Sequence, residues 1–535
     1  MGMTDVPLNS WLLFSHAATH FAGTEVVTRL LTGEVHRYTY ADFARRAQQL
    51  MQALDRLGIS EGERVATLGW NSHQHLECYF GVPCTGRVLH TLNVRLSPAE
   101  LGWIIADADD RAIFLDADLL PLLEQVPERD LQGVRHIVVF SDTVPASPLP
   151  GLVSYEELIG GESGNYPRKT VDERAPLGLC YTSGTTGRPK GVVYTHRSTV
   201  LHSYAASSGA GMGIGPRDCV LPVVPMFHAN AWGMPHAAVA VGAKQVFLAG
   251  PFDPAAMTEL CVQEEVTVTA GVPTVWLALA DELARHPSPL PALRHIFCGG
   301  SQPPRALIER YLRDFGIEIV QVWGMTETSP LASIAWPKHA MRGWDADRLT
   351  THVRTQAGLP LPGIDIAIRD AEGKEVPSDG VTLGDLHVRG PWVADGYWKD
   401  AASQEFADEG WFRTGDVAIG SPDGYFVIAD RSKDLIKSGG EWISSVDMEA
   451  DIMAMPQVAE AAVVAVPDPK WQERPLAFIV PNGAEVTLDA VRVHLESMGW
   501  ARWQLPDRVQ VIDRIPVTSV GKFDKKALRG LLRDG

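Results

Sequence analysis

Between residues 40 and 248 the chain repeatedly sets apolar residues at helical spacing against short, nearly continuous apolar runs. Phe43, Leu50, Met51 and Leu54 fall on one face of a helix predicted over residues 40–57, and strand-like runs follow at 64–69, 112–116, 136–140, 220–224 and 244–248. Repeated helix-then-strand units of this kind predict an α/β sheet whose faces are covered by helices. Farther on the pattern changes: runs at 386–389, 416–419 and 425–429 are short and broken by Gly and Pro, and Pro422-Asp423-Gly424 reads as a hairpin turn, which predicts a small β-subdomain. After Asp430-Arg431-Ser432-Lys433 the order becomes helix (445–453), strand (458–466), strand (476–480), helix (488–498) and a basic helix from Lys525. The expected organisation is a large, multi-part N-terminal α/β domain over 1–430, a hinge at 431–433, and a small α+β C-terminal domain over 434–535.

Composition narrows the function classes. Among 535 residues, 47 Lys and Arg face 65 Asp and Glu, a net charge of −18 that argues against a nucleic-acid-binding platform. Six cysteines (Cys78, Cys84, Cys180, Cys219, Cys261, Cys298) are far apart with no C-x-x-C pair, so zinc ribbons, redox motifs and secreted disulfide frameworks are disfavoured and a reducing cytoplasm is expected. The N-terminus has no basic n-region, Val6 stands where a myristoylation signal needs Ser or Thr, and no stretch approaches 18 apolar residues; no integral membrane segment is expected. Two lookalikes fall away. The glycines at 209, 211, 213 and 215 fit no register of G-x-G-x-x-G and read as a loop. His16 and His20 have metal-ligand spacing, but Ala17 stands where a zinc hydrolase needs its Glu, so they read as surface or core histidines.

The strongest chemical signal is Tyr181-Thr182-Ser183-Gly184-Thr185-Thr186-Gly187-Arg188-Pro189-Lys190-Gly191-Val192, which follows the short apolar run Leu177–Cys180. Small hydroxyl residues and glycines at the end of a strand let backbone N–H and side-chain O–H groups wrap a polyphosphate, and Lys190 can neutralise its charge. No Walker A register fits. Further motifs are Val224-Pro225-Met226-Phe227-His228-Ala229-Asn230-Ala231-Trp232-Gly233, Gly299-Gly300-Ser301-Gln302-Pro303-Pro304, Gln321-Val322-Trp323-Gly324-Met325-Thr326-Glu327-Thr328, Trp411-Phe412-Arg413-Thr414-Gly415-Asp416, Asp430-Arg431-Ser432-Lys433-Asp434, Gly439-Gly440-Glu441-Trp442-Ile443-Ser444 and Pro516–Lys522. In this order they resemble the acyl-adenylate-forming superfamily of AMP-binding enzymes, which includes acyl-CoA synthetases, peptide-synthetase adenylation domains and beetle luciferase. The resemblance covers nearly the whole chain and is greatest to bacterial medium- and long-chain fatty-acyl-CoA synthetases.

The resemblance implies two half-reactions. A carboxylate attacks the α-phosphorus of ATP to give acyl-AMP and pyrophosphate, and the thiol of coenzyme A then displaces AMP. It implies Mg2+ on Glu327 with Thr182 nearby, Thr182, Ser183, Gly184, Thr185, Thr186 and Lys190 around the phosphates, and Thr326 on the α-phosphate. Lys522 would bridge substrate carboxylate and α-phosphate, holding two anions that otherwise repel. Asp416 would accept both ribose hydroxyls with support from Arg431, while Gln321, Gly300 and the flat face of Trp323 would contact the adenylate. The superfamily usually has Gly-Tyr where this chain has Val322-Trp323, which alters the pocket beside the acyl group. His228, Ala229, Trp232, Gly300 and Val322 are implied around the acyl group, with Trp232 gating an apolar tunnel and 271–277 adding apolar wall. Lys433 takes the hinge position; rotation of a mobile small domain there would withdraw Lys522, bring Lys437 and Trp442 toward the site and open a path for pantetheine past His228. The basic run Lys522, Lys525, Lys526, Arg529, Arg533 reads equally as a phosphate attractor for CoA or as a solvated helix face. A carrier-protein phosphopantetheine acting in trans stays open as the acceptor, a nucleotide-binding pseudoenzyme is the reading from another class, and a homodimer is an expectation of the resemblance. The acid itself, whether fatty, aryl, sulfur-containing or polycyclic, is not legible in the sequence.

Overall fold

Local rules place the first long helix. Thr39 Oγ1 accepts the Asp42 N–H (3.3 Å) and Asp42 Oδ2 accepts the Thr39 N–H (3.2 Å), a reciprocal cap that starts Tyr40–Arg56. Its apolar face carries Phe43, Leu50, Met51 and Leu54, all buried. The computed structural model describes residues 2–182, 188–400, 403–407, 410–431, 434–438, 441–518 and 522–532. Ser183, Gly184, Thr185, Thr186 and Lys433 lie outside these residues.

Two large, mostly parallel sheets dominate. The seven-stranded sheet runs, in spatial order, Leu152–Ser154, His136–Phe140, Asp110–Asp116, Arg64–Leu68, Val88–Thr91, Pro176–Tyr181 and Gly191–Thr195, antiparallel only at the last pair. The nine-stranded sheet has Lys244–Leu248, Cys219–Pro222, Val268–Gly271, His295–Cys298 and Glu318–Gly324 in parallel, with antiparallel strands at both edges. The helices Ser10–His20, Tyr40–Arg56 and His73–Gly81 share one core with Phe114 and Phe140 of the first sheet and Phe247 of the second. The helix His73–Gly81 is buried on nearly every side, as a helix between two sheets must be.

A five-stranded antiparallel sheet follows: Asp365–Arg369, Leu383–Arg389, Trp411–Gly420, Phe406–Ala407 and Phe426–Arg431. This is the expected β-subdomain, with strands longer than the sequence predicts because cross-strand pairing carries Leu383–Arg389 through Gly384 and resumes beyond a register shift at Gly415. The turn falls as expected, closed by Gly424 N–H to Ser421 C=O at 2.9 Å. The C-terminal part has its own five-stranded sheet, with Val458–Asp468 and Gln472–Pro481 as its long hairpin, and the helices Ser445–Met453, Leu488–Ser497 and Lys525–Leu531. The short hairpin Ile436–Ser438 and Glu441–Ile443 is an addition that the sequence did not suggest. All six cysteines are buried and unpaired. His16 and His20 are exposed, their rings 4.9 Å apart, and no cluster of three or more metal-binding side chains occurs among the described residues. No described helix is long and apolar enough to cross a membrane.

Candidate active site

The site assembles where strand ends of both large sheets meet the β-subdomain, the position at which α/β folds leave a crevice for ligands. Strand Pro176–Tyr181 delivers Thr182 to its end; the Thr182 N–H donates to Lys190 C=O (2.9 Å) and the Lys190 N–H donates to Thr182 Oγ1 (3.2 Å), which ties these two residues together. The Lys190 ammonium pairs with Glu405 and lies 4.5 Å over the Tyr397 ring. Tyr397 in turn donates its hydroxyl to Glu327 Oε1 at 2.8 Å.

Thr326-Glu327-Thr328 forms one tight turn after strand Glu318–Gly324. The Tyr194 hydroxyl donates to the Thr326 carbonyl (2.8 Å), and Ala394 N–H donates to that of Glu327 (2.7 Å), so the turn is fixed from two sides. Glu327 is only 5% exposed. Burial pushes its carboxyl above the usual range, while the Tyr397 hydroxyl and the charges of Arg431 and Lys190 pull it back. In the same strand Gln321 is buried with its Oε1 unpartnered.

Across the crevice, strand Trp411–Gly420 presents Asp416 opposite Arg431 of the neighbouring strand. Arg431 Nε lies 2.8 Å from Asp416 Oδ1, and the Trp323 indole N–H donates to Oδ2 at 3.0 Å. Trp323 thus turns its edge to Asp416. Asp416 N–H donates to Thr414 Oγ1 (3.0 Å), and Arg431 Nη1 to the Thr414 carbonyl (3.2 Å).

Gly300 has φ +81°, a backbone open to glycine, and a Cβ there would lie 3.0 Å from Val272 Cγ1 and 3.5 Å from Lys522 Cε. Lys522 therefore reaches from the C-terminal part to the end of strand His295–Cys298. Burial, with Arg431 beside it, lowers its ammonium to about 8, against the upward pull of Asp416 and Glu327. Next to it, a Cβ at Gly299 would meet Val322 Cγ2 at 2.7 Å and Trp232 Cη2 at 3.1 Å, so Trp232 and Val322 close over that glycine as an apolar wall. Burial, Lys522 and Arg95 lower His228 to about 3, leaving a neutral imidazole. The segment Ala229–Trp232 winds left-handed, with φ of 42°, 53°, 49° and 56°, and continues into Gly233 at 73°.

The structure thus brings together Thr182, Lys190, His228, Trp232, Gly300, Gln321, Val322, Trp323, Thr326, Glu327, Asp416, Arg431 and Lys522. Lys437 and Trp442 lie opposite each other on the short hairpin, Lys437 Nζ 5.4 Å over the Trp442 ring, and Trp442 is 44% exposed. Within the basic run, Lys525 pairs with Glu449 (2.7 Å) and Arg529 with Asp434 (2.5 Å), while Lys526 is exposed. Sequence reasoning missed Tyr397 and Glu405. The Gly396-Tyr397-Trp398 run, lying between two recognised motifs, was the only signal available for the first.

Known proteins resemble this chain over nearly its whole length. Residues 14–398 match the AMP-binding enzyme family and residues 447–522 its C-terminal domain. The chain is 49% identical to a long-chain-fatty-acid–CoA ligase of Thermus thermophilus over 98% of its own length and 96% of the relative's. It is 41% identical to a 3-methylmercaptopropionyl-CoA ligase of Ruegeria lacuscaerulensis, over 99% and 98% of the two chains, and 39% to a medium-chain-fatty-acid–CoA ligase of Ectopseudomonas oleovorans, over 97% and 94%. An anthranilate CoA ligase solved with anthranoyl-AMP superposes with a TM-score of 0.88 at 25% identity, covering 100% of this chain and 99% of that one. The chain belongs to the AMP-binding enzyme family. Within it, the protein is an AMP-forming acid–thiol ligase, an acyl-CoA synthetase that takes ATP and CoA as substrates.

Proposed function

We propose that the acid is hydrophobic, with medium- and long-chain fatty acids first, and that the gathered residues divide the adenylation chemistry as follows. Trp232, Val322 and Val272 form the apolar wall for the acyl chain beside Gly300. Lys522 stands beside that wall at Gly300, within electrostatic reach of Arg431, Asp416 and Glu327, and there its ammonium would hold the carboxylate against the α-phosphate. Lys190, with Ser183 to Thr186, takes the outgoing phosphates, and ATP binding would exchange Glu405 for phosphate oxygens on the lysine. Thr326 contacts the α-phosphate. Asp416 with Arg431 takes the ribose, and Gln321 and Trp323 the base.

Glu327 and Thr182 supply the oxygen ligands that Mg2+ requires, and a buried carboxyl raised by desolvation is one a dication would return to its charged form. When bound, the ion would neutralise phosphate charge. The thioester step follows rotation of the small domain about 431–433, which would exchange Lys522 for Lys437 and Trp442 and let pantetheine pass the neutral His228. The exposure of Trp442 supports this, since an indole left half in water has a face to offer. Six unpaired cysteines suit a cytoplasmic protein. Homodimerisation rests on the family resemblance alone.

The observation that carries the reading is the convergence of Lys522 and the Trp232–Val322 wall on Gly299-Gly300. The test is pyrophosphate release over short, medium, long, aryl and polycyclic acids, with and without CoA, acyl-CoA being weighed by mass spectrometry. Turnover that needs CoA and peaks at medium or long chains is expected. Pyrophosphate without acyl-CoA would transfer the acceptor role to a carrier-bound thiol, and a peak at aryl or polycyclic acids would overturn the substrate class.

A further inference from the structure

Adenine stacking asks for a flat ring at position 323, and a phenyl ring would supply one. An indole adds a single donor and no acceptor, and here that donor is committed. Trp323 Nε1 donates to Asp416 Oδ2 at 3.0 Å while Arg431 Nε holds Oδ1 at 2.8 Å. The two donors come from different sheets: Trp323 from the nine-stranded sheet, Arg431 from the β-subdomain. Asp416 is 3% exposed and Trp323 9% exposed, so little water competes for either bond. The ring is itself held edge-on by Phe426, at 5.7 Å and 86°. Held by one donor on each oxygen, the carboxylate has its plane fixed, and the remaining lone pair of each oxygen points in a set direction.

We propose that Trp323 is a positioning residue for the ribose: its indole N–H, opposite Arg431, fixes the Asp416 carboxylate in the orientation that accepts both ribose hydroxyls, and so sets the preference for a ribonucleotide over a deoxyribonucleotide. This rests on the reading of Asp416 as the ribose acceptor. A freely rotating carboxylate would satisfy one hydroxyl nearly as well as two. A fixed one leaves an oriented lone pair empty whenever a hydroxyl is missing, and that is the source of discrimination.

The experiment measures pyrophosphate release by the full chain with ATP and with 2′-deoxy-ATP, for wild type, W323F, D416N and the double variant. W323F keeps a flat ring and removes the donor. It should lower kcat/KM for ATP about tenfold, through KM, change 2′-deoxy-ATP much less, and leave the KM for the acid unmoved. Adding W323F to D416N should cost nothing more, since the partner is already gone. An equal loss on both nucleotides, or losses that multiply in the double variant, would overturn the proposal. If D416N alone kept the wild-type preference for ATP, the ribose reading itself would be what fails, and this inference with it. Should W323F melt below the assay temperature, W323Y carries the same comparison, because a phenol hydroxyl extends beyond the position of the indole nitrogen.

Discussion

A lysine taken out of water gives up its proton more readily unless anions compensate, and Lys522 shows both influences. Burial and Arg431 bring it down from 10.5 to about 8, with Asp416 and Glu327 opposing. Only the ammonium can join two anions, so kcat/KM for ATP, which reports the free enzyme, should fall as pH rises through about 8. Arginine stays charged, so Lys522→Arg should carry a lower rate to higher pH, the falling limb moving up by at least a unit or disappearing; a limb that stays put would assign the titration to another group. Lys522, Glu327 and Asp416 were legible in the sequence because each sits inside a run of matching neighbours. Tyr397 was not, because what it does for Glu327 depends on a tertiary contact 70 positions away that nothing in its own surroundings announces.

At the scale of elements, periodicity located the strands and helices well, because burial on both faces leaves long apolar runs. The left-handed turn Ala229–Trp232 was beyond its reach. Left-handed backbone costs an L-residue roughly 1–2 kcal/mol, and Ala-Asn-Ala-Trp carries one residue, Asn230, that tolerates it readily. The turn persists because its surroundings determine it: the Tyr79 hydroxyl donates to the Met226 carbonyl just before it, Ala231 N–H to His228 C=O (3.1 Å), and Gly233 N–H to Asn230 C=O (2.9 Å). Gly233 ends the turn at φ +73°, where a Cβ would stand 2.5 Å from His202 Cε1. Gly233→Ala should therefore destabilise the protein by about 2–3 kcal/mol in urea unfolding and weaken acid binding by displacing Trp232. Gly209→Ala, with nothing within 4 Å, should stay within about 0.5 kcal/mol. Equal effects at both glycines would show that the turn is not the constraint.

Across the whole molecule, the two sides of residues 431–433 are tied by more than chain continuity. Asp430 Oδ2 accepts the Ser445 N–H (2.9 Å) and its hydroxyl, Lys525 reaches Ser445 Oγ (2.5 Å) and Glu449, and Ser444 Oγ donates to the Ala429 carbonyl (2.7 Å). These contacts accompany the pose in which Lys522 stands at Gly300. Asp430→Asn should loosen that pose, slowing acyl-AMP formation several-fold while leaving thioester formation from supplied acyl-AMP equal or faster, and equal slowing of both would separate the contacts from the proposed alternation. None of this was visible in a basic C-terminal run whose charges read equally as a phosphate attractor or a solvated face; the pairing of Lys525 with Glu449 and of Arg529 with Asp434 depends on tertiary contacts. The cysteines carry a consequence of another kind. An acyl-AMP is a mixed anhydride and acylates any thiolate it meets, yet the thiol nearest the phosphate loop, Cys180, is buried and held up at about 11, and burial raises the other five as well. Burial thus keeps the protein's own thiols protonated and out of solvent, so an acyl-AMP formed at the site would meet an accessible thiol on the incoming CoA.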